Sequence, residues 1–333
     1  MNTSLVTRRR FGVGGMGLLF PLLGSADEIR PYKLPKATIT PLADHQAVFE
    51  AGGREFSRWH FPSDYPRPFF YPFCGPSEIS LTRMGHPGAP NHDHHQSIWF
   101  AHHDVNKVSF WANSGAGRIK QKDWLCYEDG QDKAVMAVLL GWYDSASGKE
   151  LMEQQLIAIF RPMAAGEQTL ELQSTFRAVG DRVELGKTNF GLLAVRVAKS
   201  ISAAFGGGKL TDSEGRIGEP DIFGKQAKWM DYSGPIKEDA VEGVTFFDHP
   251  DNPRYPSYWH VRSDGWMGAS FCLAEGFSIA PEVPLRLRYL LHAHAGEVDS
   301  SKASSLQADF AKWRLYDVIK GKKPHHQFEL VEQ

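Results

Sequence analysis

The chain has 333 residues and a formal net charge of -2, with 23% charged and 42% hydrophobic residues. That composition argues against disorder, and near-neutral charge without a concentrated basic patch argues against a nucleic-acid surface. Its content of Trp (9) and Phe (21) is enough for a large core plus aromatic platforms.

The N-terminal run "TRRRFGVGGMGLLFPLLGSADE" sets Arg8, Arg9 and Arg10 before a short, glycine-rich apolar stretch that ends in Gly24-Ser25-Ala26. This reads as a twin-arginine export signal over residues 1–26, cleaved after Ala26, followed by one domain over 27–333. An uncleaved, anchoring signal is the alternative. The run from Phe11 to Leu23 is too short and too rich in glycine to span a bilayer. The expected location is periplasmic or secreted, with no stable membrane span after cleavage. Cys74, Cys126 and Cys272 are far apart and lack CxxC spacing, so buried free thiols are expected.

Next, "RPFFYPFCGPSEISLTR" brackets an aromatic, proline-rich turn between Arg67 and Arg83. The stretch "PNHDHHQSIWFAHHDVNKVSFW", Pro90 to Trp111, then gathers His92, His94, His95, His102 and His103 with Trp99, Asp104 and Trp111. In an extended chain, residues two apart share a face, so Ile98, Phe100 and His102 oppose Trp99, Ala101 and His103. If the segment from Asp93 to Ser97 bends, His92, His94 and His102 converge. Three imidazoles and a water would then suit a catalytic zinc or copper. HExxH and paired-cysteine spacings are absent, so the sequence does not require a metal; a divalent ion is one alternative. Another reading is proton transfer by His94, His95 or His102, with Asp104 orienting an imidazole and Trp99 or Trp111 stacking a sugar. A solvated histidine loop is the plain reading for any one of these histidines.

Further on, "KAVMAVLLGWYD", "MEQQLIAIFRP" and "EQTLELQSTFRAV" are strand candidates; in the last, Leu170, Leu172 and Ser174 oppose Glu171, Gln173 and Thr175. Arg196 interrupts the apolar "LLAVRVA", which means it either ends at solvent or is buried against a carboxylate. Turn clusters "SASGKE", "GGGK" and "SEGRIGEPD" have the spacing of antiparallel sheets. "FFDHPDNPRYPSYWHVR", Phe246 to Arg262, reads as a proline-stiffened loop, with Asp248, His249, Asn252 and Arg254 on a pocket rim. Its closing strand alternates Tyr258, His260 and Arg262 with Trp259 and Val261. "LRLRYLLHAHAG" sets Leu285, Leu287, Tyr289 and Leu291 against Arg286, Arg288, Leu290 and His292. "SSLQADFAKWRLYDVIKG" is the one convincing helix: Leu306, Phe310 and Trp313 share a face and Gly321 closes the run. No glycine-rich loop opens a helix after a strand, which excludes the common nucleotide motifs. The expected fold is all-β, a large antiparallel β-sandwich with a C-terminal helix.

Several of these motifs together resemble a bacterial family of exported proteins labelled "methane oxygenase PmoA". They are the "RP…YP" turn, "TR" at Arg83, H-x-H-H through "WFAH", "DVN" and "FW". The glycine-to-arginine strand from Gly191 to Arg196, the "DHP-x-NPR" loop and the C-terminal "LRY" strand with "HAG" complete the set. The resemblance covers about Arg54 to Trp313; Asn91, Gln96 and His103 depart from the pattern, which has aspartate, arginine and glycine there. The label itself would need several apolar spans of about 20 residues, and the chain has none. The resemblance implies instead a role in carbohydrate breakdown, on a sandwich like those of galactose mutarotases and polysaccharide lyases.

The expectation is therefore an exported carbohydrate-active enzyme, a hydrolase, lyase or epimerase acting on a sugar or modified glycoside. His94, His95, His102 and Asp104 would carry the chemistry. Arg67, Arg83, His92, Trp99, Trp111, Arg196, Asp248, His249, Asn252, Trp259, His260 and Arg262 would bind the substrate. A non-catalytic sugar-binding protein and a metal-dependent oxygenase or hydrolase using His92, His94 and His102 are the alternatives. No glutamate pair supports a two-carboxylate glycosidase. The two histidine-bearing stretches, 90–111 and 246–262, are expected to face each other across one cleft.

Overall fold

Strands that bury one face alternate apolar and polar side chains, and those segments pair here. The computed structural model describes residues 33–86, 89, 92–322 and 324–333; the expected export signal lies outside them. In chain order the first strands are β1 (Ala37–Leu42), β2 (Gln46–Ala51), β3 (Arg54–His60), β4 (Phe69–Phe73) and β5 (Ile98–His102). Four long strands follow: β6 (Gly117–Glu128), β7 (Ala134–Asp144), β8 (Lys149–Pro162) and β9 (Gln168–Ala178). Next come β10 (Val183–Leu185), β11 (Gly191–Arg196), β12 (Lys209–Asp212), a one-turn helix α1 (Glu219–Ile222), β13 (Trp229–Lys237) and β14 (Ala240–Asp248). β15 (Trp259–Arg262), β16 (Trp266–Ala269), β17 (Phe277–Ile279) and β18 (Leu285–Ala295) lead to α2 (Ser300–Phe310). The hairpin β19 (Tyr316–Lys320) and β20 (Phe328–Glu332) ends the chain.

Among the described residues, two 8-stranded antiparallel sheets run β1-β2-β3-β4-β5-β11-β16-β15 and β12-β13-β14-β18-β9-β8-β7-β6. They pack face to face: Phe49 meets Phe160 at 6.3 Å, Phe100 meets Phe176 at 6.1 Å, and Phe246 meets Trp259 at 4.9 Å between ring centres. The expected β-sandwich is therefore the fold. Leu170 and Leu172 of β9, with Leu285, Leu287, Tyr289 and Leu291 of β18, lie in this core as their alternation requires. Residues 35–333 form one compact unit. Among the described residues the three cysteines are free, with Cys74 and Cys272 buried and Cys126 half-buried.

The C-terminal helix differs from the sequence expectation at both ends. It begins at Ser300, where the Asp299 side chain accepts hydrogen bonds from the Ser301 and Lys302 amides. It stops at Phe310, and Tyr316 to Lys320 is a strand paired with β20. Two β-branched residues, Val318 and Ile319, pack better on a pleated surface than in a helix, and Val318 covers Val135 and Ile157 on the outer face of the second sheet.

The first sheet buries both of its faces in the strands β5, β11, β16 and β15. Ile98, Phe100, Leu193, Val195, Trp259, Val261 and Met267 point into the sandwich. Phe69, Trp99, Ala101, Ala194 and Trp266 point the other way and form a separate aromatic cluster with Trp111. That second face carries the site.

Candidate functional site

The loop before β5 brings its imidazoles onto the outer aromatic face. Tight turns hold it, with the His95 amide donating to the His92 carbonyl at 3.0 Å and the Gly85 amide to the His95 carbonyl at 2.7 Å. Arg67, fully buried, ties this loop to the one carrying Trp111. Its guanidinium donates to the carbonyls of His94 (3.1 Å), Trp111 (2.7 Å) and Phe110 (3.2 Å), and to Gln96 Oε1 (3.0 Å). Gln96 thus serves as an acceptor for Arg67.

A cavity of about 380 Å³ opens above the cluster, lined by His92, His94, His95, His103, Trp111, Ala112, Phe190, His260, Arg262, Asp264 and Trp266. Trp266 is its floor: the rings of His95, Trp111 and His260 lie 5.1, 5.1 and 5.2 Å from it. Phe190 bridges Trp111 and His260 at 5.3 and 5.1 Å. The two histidine-bearing stretches therefore meet in one pocket, through His92, His94, His95 and Trp111 from one and His260 and Arg262 from the other.

Two imidazoles have defined electrostatics. His260 is buried, and its Nδ1 lies 3.0 Å from the Asn189 carbonyl. A carbonyl oxygen only accepts, so Nδ1 carries the proton and the neutral ring presents a bare Nε2. That Nε2 is buried and has no partner among the described residues. Burial pushes the His260 pKa down to about 4, outweighing the opposing effect of the Asn189 bond. Burial first, and then the neighbouring His94 and Arg196, pushes His95 far below the ordinary imidazole range; its Nδ1 is also buried without a partner among the described residues. The indole Nε1 groups of Trp111 and Trp266 are in the same position. The residues lining the pocket thus hold four buried ring nitrogens that lack partners among the described residues, two on imidazoles and two on indoles.

Asp264 and Arg262 each sit in an ion pair. Asp264 accepts from Arg196 Nη1 at 2.7 Å and meets His86 Nε2 at 3.0 Å. Burial alone would raise its carboxyl, but Arg196 and His86 prevail and hold it below the usual range. Arg196 thus takes the second of its two expected settings, buried against a carboxylate. Arg262 donates to Glu219 Oε1 at 2.7 Å. Arg83 spends its guanidinium on the carbonyls of Val197, Gly85 and Asp264, at 3.1, 2.8 and 3.4 Å.

Several expected site residues lie elsewhere. His102 shares the core-facing side of β5 with Phe100, so it cannot converge with His92 and His94. Among the described residues no group of three or more His, Cys, Asp or Glu is placed to hold a metal ion. Gly191 crosses so close to His102 that a Cβ there would sit 2.6 Å from the ring, and its φ of +140° suits only glycine. Asp104 orients no imidazole with its carboxylate, which accepts from the Lys107 amide at 2.8 Å and from Lys107 Nζ at 3.1 Å. Its amide donates to His102 Nδ1 instead. Trp99 lies beneath the floor, stacked on His95 at 5.6 Å. Trp259 points into the sandwich core and donates to the Ala227 carbonyl, so it stacks no ligand.

Asp248, His249 and Asn252 are buried as a brace between β14, β18 and α2. Asn252 Nδ2 donates to Asp248 Oδ1 at 2.7 Å and to the Arg288 carbonyl at 2.8 Å, and His249 packs on Phe310 at 4.7 Å. Arg254 donates to the carbonyls of Phe271, Glu275 and Gly276. The sequence reading missed Trp266, Asp264 and Phe190. The turn Ser263-Asp264-Gly265 after "WHVR" was the available signal for the first two, since a tight hairpin returns Trp266 beside Arg262.

Comparison with known proteins adds a family and little else. Residues 46–308 match the model described as "Family of unknown function (DUF6807)", a description that carries no activity. No curated protein matches. Among solved structures the chain is similar to a "Putative kojibiose phosphorylase from human microbiome", at 8% identity and a TM-score of 0.32. That alignment covers 84% of this chain and 36% of the other, so the chain spans about a third of that structure's length. Among the described residues no helix is long and apolar enough to cross a membrane.

Proposed function

This chain belongs to the family of unknown function DUF6807, and from that premise we propose that its pocket is the active site of an exported carbohydrate-active enzyme. The observation that carries the reading is the orientation of His260. One ring nitrogen is fixed by the Asn189 carbonyl, and the other is a buried lone pair, unpartnered among the described residues, beside the indole floor of the pocket. A pyranose offers a weakly apolar C–H face to Trp266 or Trp111 and hydroxyls that both donate and accept. His260 Nε2 takes a proton from a substrate hydroxyl or from water, and the imidazolium so formed returns it. His95 is a second imidazole in the lining, and Arg67 is a positioning residue that holds the His94 and Trp111 loops. Removal of a proton from water serves hydrolysis and removal from the anomeric hydroxyl serves epimerisation at that carbon, whereas elimination would need the same base to take a carbon-bound proton. The reading also adopts the sequence expectations of export and of a mutarotase-like sandwich domain.

The test pairs binding with turnover, using tryptophan emission and chromatography of products over a panel of mono- and oligosaccharides. The expected outcome is saturable quenching by at least one saccharide that the protein also converts. His260→Gln should lower kcat by about 10²–10⁴-fold, the usual weight of a general base, and leave quenching in place. A panel that neither quenches nor reacts would sink the proposal. Among the described residues no carboxylate bonds to His260. That favours, as a second reading, a non-catalytic sugar-binding protein, for which quenching without turnover is the signature.

A further inference from the structure

Building on the sugar-pocket reading, we infer that the ligand is acidic: a carboxylate-bearing saccharide whose acid group seats on Arg262. Directly opposed residues in an antiparallel sheet put their side chains on the same face. Arg196 of β11 stands opposite Trp266 of β16, and Trp266 stands opposite Arg262 of β15. The indole floor therefore lies in a row between two guanidinium-bearing residues on the pocket face. Arg262 is half-exposed in the lining, and among the described residues only its Nη1 is bonded, to Glu219 Oε1 at 2.7 Å. Its Nε and Nη2 remain, the edge of the fork that can take both oxygens of a carboxylate. Arg196 is fully buried, and its Nε and Nη2 have no hydrogen-bond partner among the described residues.

The charges around the pocket do not balance. Asp264 answers Arg196, and Glu219 answers Arg262. Arg67 and Arg83 have no such partner: among the described residues they donate to backbone carbonyls and to the side-chain amide oxygens of Gln96 and Asn113. Neutral acceptors satisfy their N–H groups and leave both charges in place. Burial pushes Arg67 down to about 9, with Arg118 adding to the effect, and Arg83 down to about 10, with Arg196 outweighing Asp264. Both stay charged at neutral pH. Arg67 holds the carbonyls of His94 and Trp111, and Arg83 that of Asp264, all three residues of the lining. A buried charge is ordinarily met by an opposite one, and at this pocket a ligand carboxylate supplies it. Asp264 competes weakly with such a ligand, because Arg196 Nη1 and His86 Nε2 engage its two oxygens.

Equilibrium binding on the full chain at pH 7 decides this, with matched methyl hexosides and methyl hexuronides read by tryptophan emission and calorimetry. In at least one pair the acid should bind about tenfold tighter than its neutral partner, the worth of a charge-assisted pair of hydrogen bonds. Arg262→Gln should cost the acid about tenfold more than it costs the neutral glycoside. Glu219→Gln removes the competing carboxylate while its amide oxygen can still accept from Ser263, and should tighten the acid several-fold. Neutral members that bind as well as their acids overturn the inference, as does an acid preference that Arg262→Gln leaves intact. A 6-sulfated hexoside that binds more tightly than the hexuronide overturns the carboxylate assignment. If no saccharide binds, the sugar-pocket reading falls and takes this inference with it, an outcome distinct from a preference for the neutral sugar.

Discussion

His260 and Arg67 show how single side chains define the pocket. The His260 ring is uncharged at neutral pH, with its proton on Nδ1 and a bare Nε2, because its pKa is pushed down to about 4 by burial. Any step that uses its lone pair should be insensitive to pH between about 5 and 8 and should fail as pH drops through about 4. A pH profile of kcat/KM checks this, and an acid limb near the ordinary imidazole value of about 6.5 would point to another histidine. Arg67 is a different kind of residue, since it touches no pocket space and bonds to both histidine and tryptophan loops. Arg67→Met would leave those buried carbonyls unpartnered. We expect a loss of about 2–4 kcal/mol in denaturant unfolding, together with loss of saccharide quenching. The arginine was visible in the sequence as a candidate, but its task was not, because a buried guanidinium facing carbonyls looks the same in one dimension as one facing a ligand.

Among the elements, α2 is the clearest case of local sequence setting a boundary. Asp299 caps it, and Phe310 closes it against His249, Trp313 and the Arg288 guanidinium. Asp299→Ala should cost about 1 kcal/mol, the usual value of an N-cap, and Phe310→Ala about 3–5 kcal/mol as a fully buried aromatic truncation. Urea titrations of both variants test the ranking; equal losses would contradict it. Leu306, Phe310 and Trp313 made the helix legible, whereas its end was obscured because "YDVIK" can be read with either period. The strands were legible where one face is polar, as in β9 and β18. In β5 and β15 both faces are apolar or aromatic, so the alternation of Trp259 with His260 was visible but the side that faced the core was not. That ambiguity is why Trp259 and His102 were counted with the site. Trp266 and Phe190 escaped because their place depends on β11 lying between β5 and β16, a pairing across about ninety residues that no local pattern encodes.

For the whole molecule, the buried imidazoles set an acid limit and one histidine sets an alkaline slope. His102, His249 and His260 are each pushed to about 4, chiefly by burial. Depressed folded values mean that the unfolded chain binds more protons, so stability falls as pH drops from about 6.5 toward 4, by up to about 3 kcal/mol for a group shifted that far. His294 differs. Burial would lower it, but the Asp231 carboxylate 2.8 Å away raises it overall. Its contribution is complete below about 6.5 and is lost as pH rises through the raised folded value. Melting temperature should therefore peak between about pH 6 and 7, and His294→Asn should flatten the alkaline side alone; a plateau from pH 5 to 8 would refute this. The two-sided first sheet has a further consequence for anyone wishing to alter the protein. Along β15 the sandwich owns one parity of the numbering and the pocket owns the other, so a library confined to positions 103, 260 and 262 would vary the pocket while leaving both buried clusters as they are.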